Sequence, residues 1–123
     1  MKRKILVIDD DATIRFLLEK LLENEFEVIS MNDGFKALDW LNNGNIPDLI
    51  LLDLEMPDIN GETIIRRVRF TSVLRNTPVI ILSGNANEKV RNGFVKMGAN
   101  DYILKPFNEA DFNKKIHKAM NLK

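Results

Sequence analysis

Residues 49–61 read LILLDLEMPDING. Four consecutive apolar residues, Leu49 to Leu52, run into an aspartate, and a polar loop with a proline and a glycine follows. A short unbroken apolar run bounded by turn residues fits a strand covered on both faces. Asp53 then needs a reason. Aspartate is depleted in strands, and burying an unpaired carboxylate is costly. Either Asp53 marks where the strand meets water, or it is placed for chemistry.

The sequence around this strand repeats its pattern. Short β-branched runs stand at KILVID (4–9), FEVISM (26–31), DLILLD (48–53), PVIILS (78–83) and DYILK (101–105). Helical patterns separate them. Ile14, Leu17, Leu18, Leu21 and Leu22 follow the i, i+3, i+4 spacing of an amphipathic helix, which Asp11 or Thr13 can cap. A second helix runs from about Asp33 to Asn43, with Leu38 and Leu41 inward and Gly44 as its stop. The third starts near Gly61 with Ile64, Ile65 and Val68. The fourth carries Val90, Phe94 and Met97 and ends at Gly98. The last carries Phe112, Ile116, Ala119 and Met120. This is (βα)5. Nearly all-apolar strands imply a parallel sheet under helices on both faces, and right-handed crossovers wind it both ways. The expected fold class is α/β, a doubly wound five-stranded parallel sheet, in one domain over residues 1–123.

Composition narrows the function classes. Eighteen Lys and Arg balance eighteen Asp and Glu, so a broad basic face for nucleic acid is not expected. There is no cysteine, which removes disulfides and thiolate metal sites. One histidine, His117, removes His-rich metal sites. No apolar stretch approaches the ~20 residues of a membrane span, and the run Ile5–Ile8 is too short for a signal peptide. The expectation is a cytoplasmic protein without direct contacts to nucleic acid or membrane.

In an open α/β sheet, ligands bind outside the carboxyl ends of the strands. Those ends hold Asp9, Asp10 and Asp11 after strand 1, Asp53 after strand 3, Ser83 after strand 4 and Lys105 after strand 5. Taken singly, each has a bland reading. Acids favour helix starts, Ser83-Gly84 is an ordinary turn, and Lys105 is a surface lysine. Tyr102 is a half-buried strand residue, and His117 is a solvated helix residue with no partner. Their co-occurrence at one edge points further. Crowded carboxylates raise one another's pKa unless a cation intervenes, and oxygen-only ligands favour a hard ion such as Mg²⁺. A lysine and a hydroxyl beside them can hold phosphoryl oxygens. The set suggests a carboxylate that accepts a phosphoryl group.

At this point the chain resembles the receiver domain of two-component response regulators. The resemblance rests on ILVIDDD (5–11), PDLILLDLEMPDINGE (47–62), PVIILSG (78–84) and GANDYILKPF (98–107), in this order and spacing. It implies a flavodoxin-like sheet with strand order 2-1-3-4-5, as in chemotaxis regulators. It implies that Asp53 is the phosphoryl acceptor, that Asp10 ligates Mg²⁺, and that Asp9 acts beside it. Asp53 and the backbone carbonyl of Glu55 complete the metal set. Ser83 is the switch hydroxyl, Lys105 contacts the phosphoryl group, and Tyr102 is the aromatic switch. The Lys105-Pro106 bond is expected to be cis. Glu55 and Asn85 fall at variable positions that tune the lifetime of the phosphorylated state.

The implied function is Mg²⁺-dependent phosphoryl transfer to Asp53 from a sensor histidine kinase or phosphotransfer protein. The chain would not be an enzyme in the usual sense, because it ends modified. The implied output is a change on the face of the fourth helix, fifth strand and fifth helix, where Tyr102 turns inward from solvent. Lys89, Arg91, Asp101, Lys114 and Lys115 are candidate contacts there. The reader is a downstream protein, an attached output domain or a second copy in a homodimer. Two other readings stand. In an aspartate-nucleophile phosphatase, Glu55 would be the general acid, but that class carries its nucleophile on the first strand. A nucleotide- or flavin-binding module needs a Gly-rich phosphate loop, and the first βα turn is DDDAT.

Overall fold

Alternating strand and helix signals resolve into ten elements. The structure, a computed structural model, describes residues 2–56 and 60–122. In chain order they are β1 (Lys4–Ile8), α1 (Ala12–Leu22), β2 (Glu27–Met31), α2 (Gly34–Asn42) and β3 (Leu49–Asp53). Then come α3 (Gly61–Phe70), β4 (Val79–Ser83), α4 (Glu88–Met97), β5 (Asp101–Leu104) and α5 (Glu109–Ala119). The five strands form one parallel sheet in the order β2-β1-β3-β4-β5, as expected. Pro57, Asp58 and Ile59 of the loop after β3 lie outside the described residues. No helix among the described residues is long and apolar enough to cross a membrane.

Strand alternation sorts the core into two layers. Ile5, Val7, Leu49, Leu51, Ile80, Leu82 and Ile103 point to the face covered by Leu18 and Leu22 of α1 and Phe112 and Ile116 of α5. Leu6, Ile8, Ile50, Leu52, Val79, Ile81 and Tyr102 point to the other face. There they meet Ala37, Leu38 and Leu41 of α2 and Ile64, Ile65 and Val68 of α3. The central strand β1 is therefore apolar from Ile5 to Ile8 and β3 from Leu49 to Leu52, and β3 is buried at every position, Asp53 included.

Each helix starts at an Asp or Asn whose side chain accepts a backbone N–H of the first turn: Asp11, Asp33, Asn60, Asn87 and Asn108. Asp11, not Thr13, caps α1, through the amides of Thr13 and Ile14. At the other end of α4, Gly98 takes φ +118°, a conformation that a side chain would strain. The Lys105-Pro106 bond is cis, as expected.

Three side chains depart from expectation. Leu17 is 42% exposed and stands beside the exposed Phe16, because the apolar stripe of α1 is wider than the sheet surface it covers. His117 has a partner: its Nε2 lies 2.7 Å from Glu25 Oε1, with its ring edge-on to Phe26. Tyr102 is buried rather than half-buried or in solvent. It alternates toward α4, and its hydroxyl donates to the Asn85 carbonyl at 2.8 Å, so burial leaves no polar atom unpaired.

Candidate functional site

Sheet order reverses between β1 and β3, where the chain leaves β1 for β2 on one side and returns to β3 on the other. Crossovers there diverge to opposite faces and open a crevice at the carboxyl edge. Asp9 and Asp10 follow β1, Asp53 ends β3, Ser83 ends β4 and Lys105 follows β5. The fold thus brings to one edge residues that are up to 96 positions apart in sequence.

Asp53 is almost fully buried, and Asp9 fully so. One ammonium serves both. Lys105 Nζ donates to Asp53 Oδ1 at 3.0 Å and to Asp9 Oδ2 at 3.2 Å. Asp53 Oδ1 also accepts the backbone N–H of Glu55 at 3.2 Å. Asp9 Oδ1 takes the N–H of Asp11 at 2.9 Å. Asp53 at the end of a buried strand is therefore a paired carboxylate, not a strand end in water.

Charge is unbalanced there. Asp10 is exposed, and ligand oxygens of Asp9, Asp10 and Asp53 all lie within 4.8 Å of one another. Three carboxylates face one ammonium. Burial raises the pKa of Asp53, and the charge of Asp9 raises it further, although Lys105 and the Glu55 N–H pull it down. Burial acts to lower the pKa of Lys105, but its hydrogen bonds to Asp53 and Asp9 and their charges outweigh this and raise it. A compact set of carboxylate oxygens with surplus negative charge suits a hard divalent cation. Asp11, grouped with its neighbours in the sequence, belongs to the α1 cap instead.

Ser83 is buried beside this cluster, yet its hydroxyl does not address Asp53. Ser83 Oγ donates to Glu55 Oε1 at 2.9 Å, and the Gly84 N–H donates to the same oxygen at 2.9 Å. Ser83 Oγ accepts the Asn85 N–H at 3.0 Å. Glu55 is therefore engaged through its side chain, a role that a backbone metal ligand does not predict. Tyr102 lies one step further along, on the Asn85 carbonyl, with the Arg91 guanidinium 5.6 Å from its ring centre. Arg15 also went unread in the sequence: its Nη1 donates to the Asp9 carbonyl at 2.7 Å. Its place one helical turn after the Asp11 cap was the available signal.

Tyr102, Arg91, Asp111 and Lys115 line a cavity of about 270 Å³ between β5, α4 and α5. Of the charged residues expected on this face, Lys115 donates to the Tyr102 carbonyl at 2.8 Å and approaches Asp101 at 3.7 Å.

The sequence profile of the response regulator receiver domain matches residues 5–117. The chain is 42% identical over 114 residues to the transcriptional regulatory protein CpxR of Escherichia coli strain K12, covering 92% of this chain and 47% of CpxR. It spans about half the length, or less, of the curated relatives it matches. Among solved structures, the chemotaxis response regulator CheY4 of Vibrio cholerae superposes with a TM-score of 0.88 at 27% identity, covering 97% of this chain and 99% of that one. The receiver domain of the sensor histidine kinase PA1611 from Pseudomonas aeruginosa PAO1 superposes with a TM-score of 0.87 at 26% identity, covering 98% and 99%. That receiver holds a magnesium ion in its active-site cleft.

Proposed function

The chain belongs to the response regulator receiver domain family, and from that premise we propose that Asp53 is its phosphoryl acceptor. The role of the domain is phosphoryl-accepting signalling. The observation that carries the assignment is the buried Asp53 carboxylate, which shares the Lys105 ammonium with Asp9 at the edge where Asp10 also stands.

In this reading residues 1–123 form one receiver unit. The donor is a phosphohistidine of a sensor histidine kinase or phosphotransfer protein. An Asp53 carboxylate oxygen forms the new O–P bond while the N–P bond of the donor breaks. The electron pair stays on the imidazole nitrogen, which takes up a proton. Lys105 stands beside Asp53 and neutralises charge on the transferring group. Asp9, Asp10, Asp53 and the Glu55 backbone carbonyl would hold Mg²⁺, which supplies further charge neutralisation when bound. Ser83 then donates to a phosphoryl oxygen. Its movement shifts the loop toward α4 and is read at Tyr102 on the α4-β5-α5 face, by a downstream protein, an attached output domain or a second copy in a homodimer. Turnover leaves the protein itself modified, so the chain is a signalling domain rather than an enzyme in the usual sense, acting in the cytoplasm without direct contacts to nucleic acid or membrane. A phosphatase-like alternative is not favoured: its general acid would be Glu55, whose carboxylate is taken up by Ser83 and Gly84.

The test is incubation with acetyl phosphate and Mg²⁺, read by intact mass. Wild type gains one phosphoryl group, and Asp53→Asn gains none. Chelating the metal suppresses the wild-type adduct. An adduct on Asp53→Asn equal to wild type overturns the assignment.

A further inference from the structure

A hydroxyl has one proton to give, and so has a backbone amide. Ser83 gives its proton to Glu55 Oε1. Gly84 gives its own to the same oxygen. The remaining contact of Ser83 Oγ is as an acceptor, from Asn85. The loop after β4 therefore presents two donors beside the acid cluster, and both are spent on one carboxylate oxygen from the loop after β3. Neither can serve a second acceptor until that oxygen leaves.

We propose that the Glu55 carboxylate is an internal competitor of the phosphoryl group, holding the Ser83 hydroxyl and the Gly84 amide until modification of Asp53 displaces it. This rests on Asp53 being the phosphoryl acceptor. A phosphoryl group adds about −1.5 to −2 charges, two residues along the chain from Glu55. Repulsion then acts on the carboxylate as its donors turn to the new oxygens. Glu55 is exposed, so the released side chain enters water at no burial cost. The displaced segment is already tied outward, because the Asn85 carbonyl holds the Tyr102 hydroxyl and the Tyr102 ring faces Arg91 of α4. Glu55 is thus a positioning residue: it sets where Ser83 points before the reaction.

The experiment compares wild type, Glu55→Ala, Glu55→Gln, Ser83→Ala and the double variant Glu55→Ala/Ser83→Ala, each with acetyl phosphate and Mg²⁺. In each, an Asp53 oxygen bonds to phosphorus and acetate leaves with the electron pair of the broken O–P bond. Intact mass follows the rate, and the Gly84 amide resonance follows the contact in unmodified protein. Glu55→Ala gains the phosphoryl group about tenfold faster, the size of one charge-assisted hydrogen bond. Glu55→Gln, which keeps an acceptor but no charge, falls between. The gain shrinks when Ser83 is already alanine, and the Gly84 amide moves in Glu55→Ala. A merely structural Glu55 would shift the unfolding midpoint without this graded rate. A Glu55→Ala rate within about twofold of wild type, a slower one, or an unmoved Gly84 amide overturns the competitor. Wild type that gains no phosphoryl group overturns the acceptor reading, and the competitor with it.

Discussion

Two partly buried cations sit at opposite ends of the same sheet. At the carboxyl edge, Lys105 rests between the carboxylates of Asp53 and Asp9. At the amino edge, Arg69 in the last turn of α3 meets no carboxylate among the described residues. Its guanidinium donates to the Gly98 carbonyl at 3.0 and 2.6 Å, to the carbonyls of Thr77 and Arg75 at 2.7 and 3.1 Å, and to Asn100 Oδ1 at 2.8 Å. Burial lowers the pKa of Arg69, with nothing to oppose it. For Lys105 the neighbouring carboxylates reverse the effect of burial. The arginine gathers neutral carbonyls from the segments that lead into β4 and β5, which is architecture. The lysine holds an excess of negative charge in check, which is chemistry that another cation can share.

The contrast predicts different losses. Arg69→Met strands several carbonyls and should cost about 2–4 kcal/mol in urea unfolding, with no recovery on adding Mg²⁺ and with phosphoryl acceptance retained. Recovery in Mg²⁺ would break the comparison. Gly98→Ala should cost about 1–3 kcal/mol. Its backbone is left-handed, and a Cβ there would stand 2.8 Å from Arg69 Nε. In the Arg69→Met background the cost should fall toward the backbone part alone. Full cost in both backgrounds would show that Arg69 is not the obstacle.

Lys105→Met leaves Asp9 and Asp53 facing each other without their ammonium. In chelator it should lose about 1–2 kcal/mol, and Mg²⁺ should restore most of it while phosphorylation stays slow, by about a hundredfold. A loss that Mg²⁺ does not touch would place Lys105 in the same class as Arg69.

The smallest effect is a gain. Asp53 has a raised pKa in the folded protein, so the folded state holds this proton more tightly than the unfolded chain. Its stabilising contribution is present below the ordinary value of 3.8 and is lost as pH rises through the folded value. In chelator near neutral pH, Asp53→Asn should therefore be more stable than wild type, and it should lack the decline that wild type shows as pH rises from 3.8 through the folded value. Lys105 gives the opposite limb. Its raised pKa adds stability below 10.5 that disappears as alkaline pH passes the folded value. Thermal melts across pH check both signs, and an Asp53→Asn variant less stable than wild type throughout would reverse the charge argument.

Much of the site was legible because each of its residues carries a local signal. Asp9, Asp10, Asp53, Ser83 and Lys105 stand at the ends of apolar runs, and parallel topology sends all such ends to one edge. Glu55 was legible only as a position two residues past Asp53; its carboxylate reaches Ser83, 28 residues away, and no periodicity encodes that reach. No motif or periodicity in the sequence singles out Arg69. Its partners come from two later segments, those that lead into β4 and β5, so its role exists only once they are packed. His117 and Glu25 are 92 residues apart and meet for the same reason.

The sequence by itself determined the order of strands and helices, the parallel doubly wound sheet, the starts of the first two helices near Asp11 and Asp33, and the gathering of acids at one edge. These follow from side-chain periodicity, cap chemistry and chain handedness, all of which act over a few residues or through general rules of connection. Tertiary structure alone decided which donors each acid receives, that Tyr102 lies inside rather than in water, that Leu17 lies outside, and that the Ser83 hydroxyl is held by Glu55 rather than Asp53. Those outcomes depend on distances between elements remote in sequence, and a hydrogen bond is made or lost over less than an ångström.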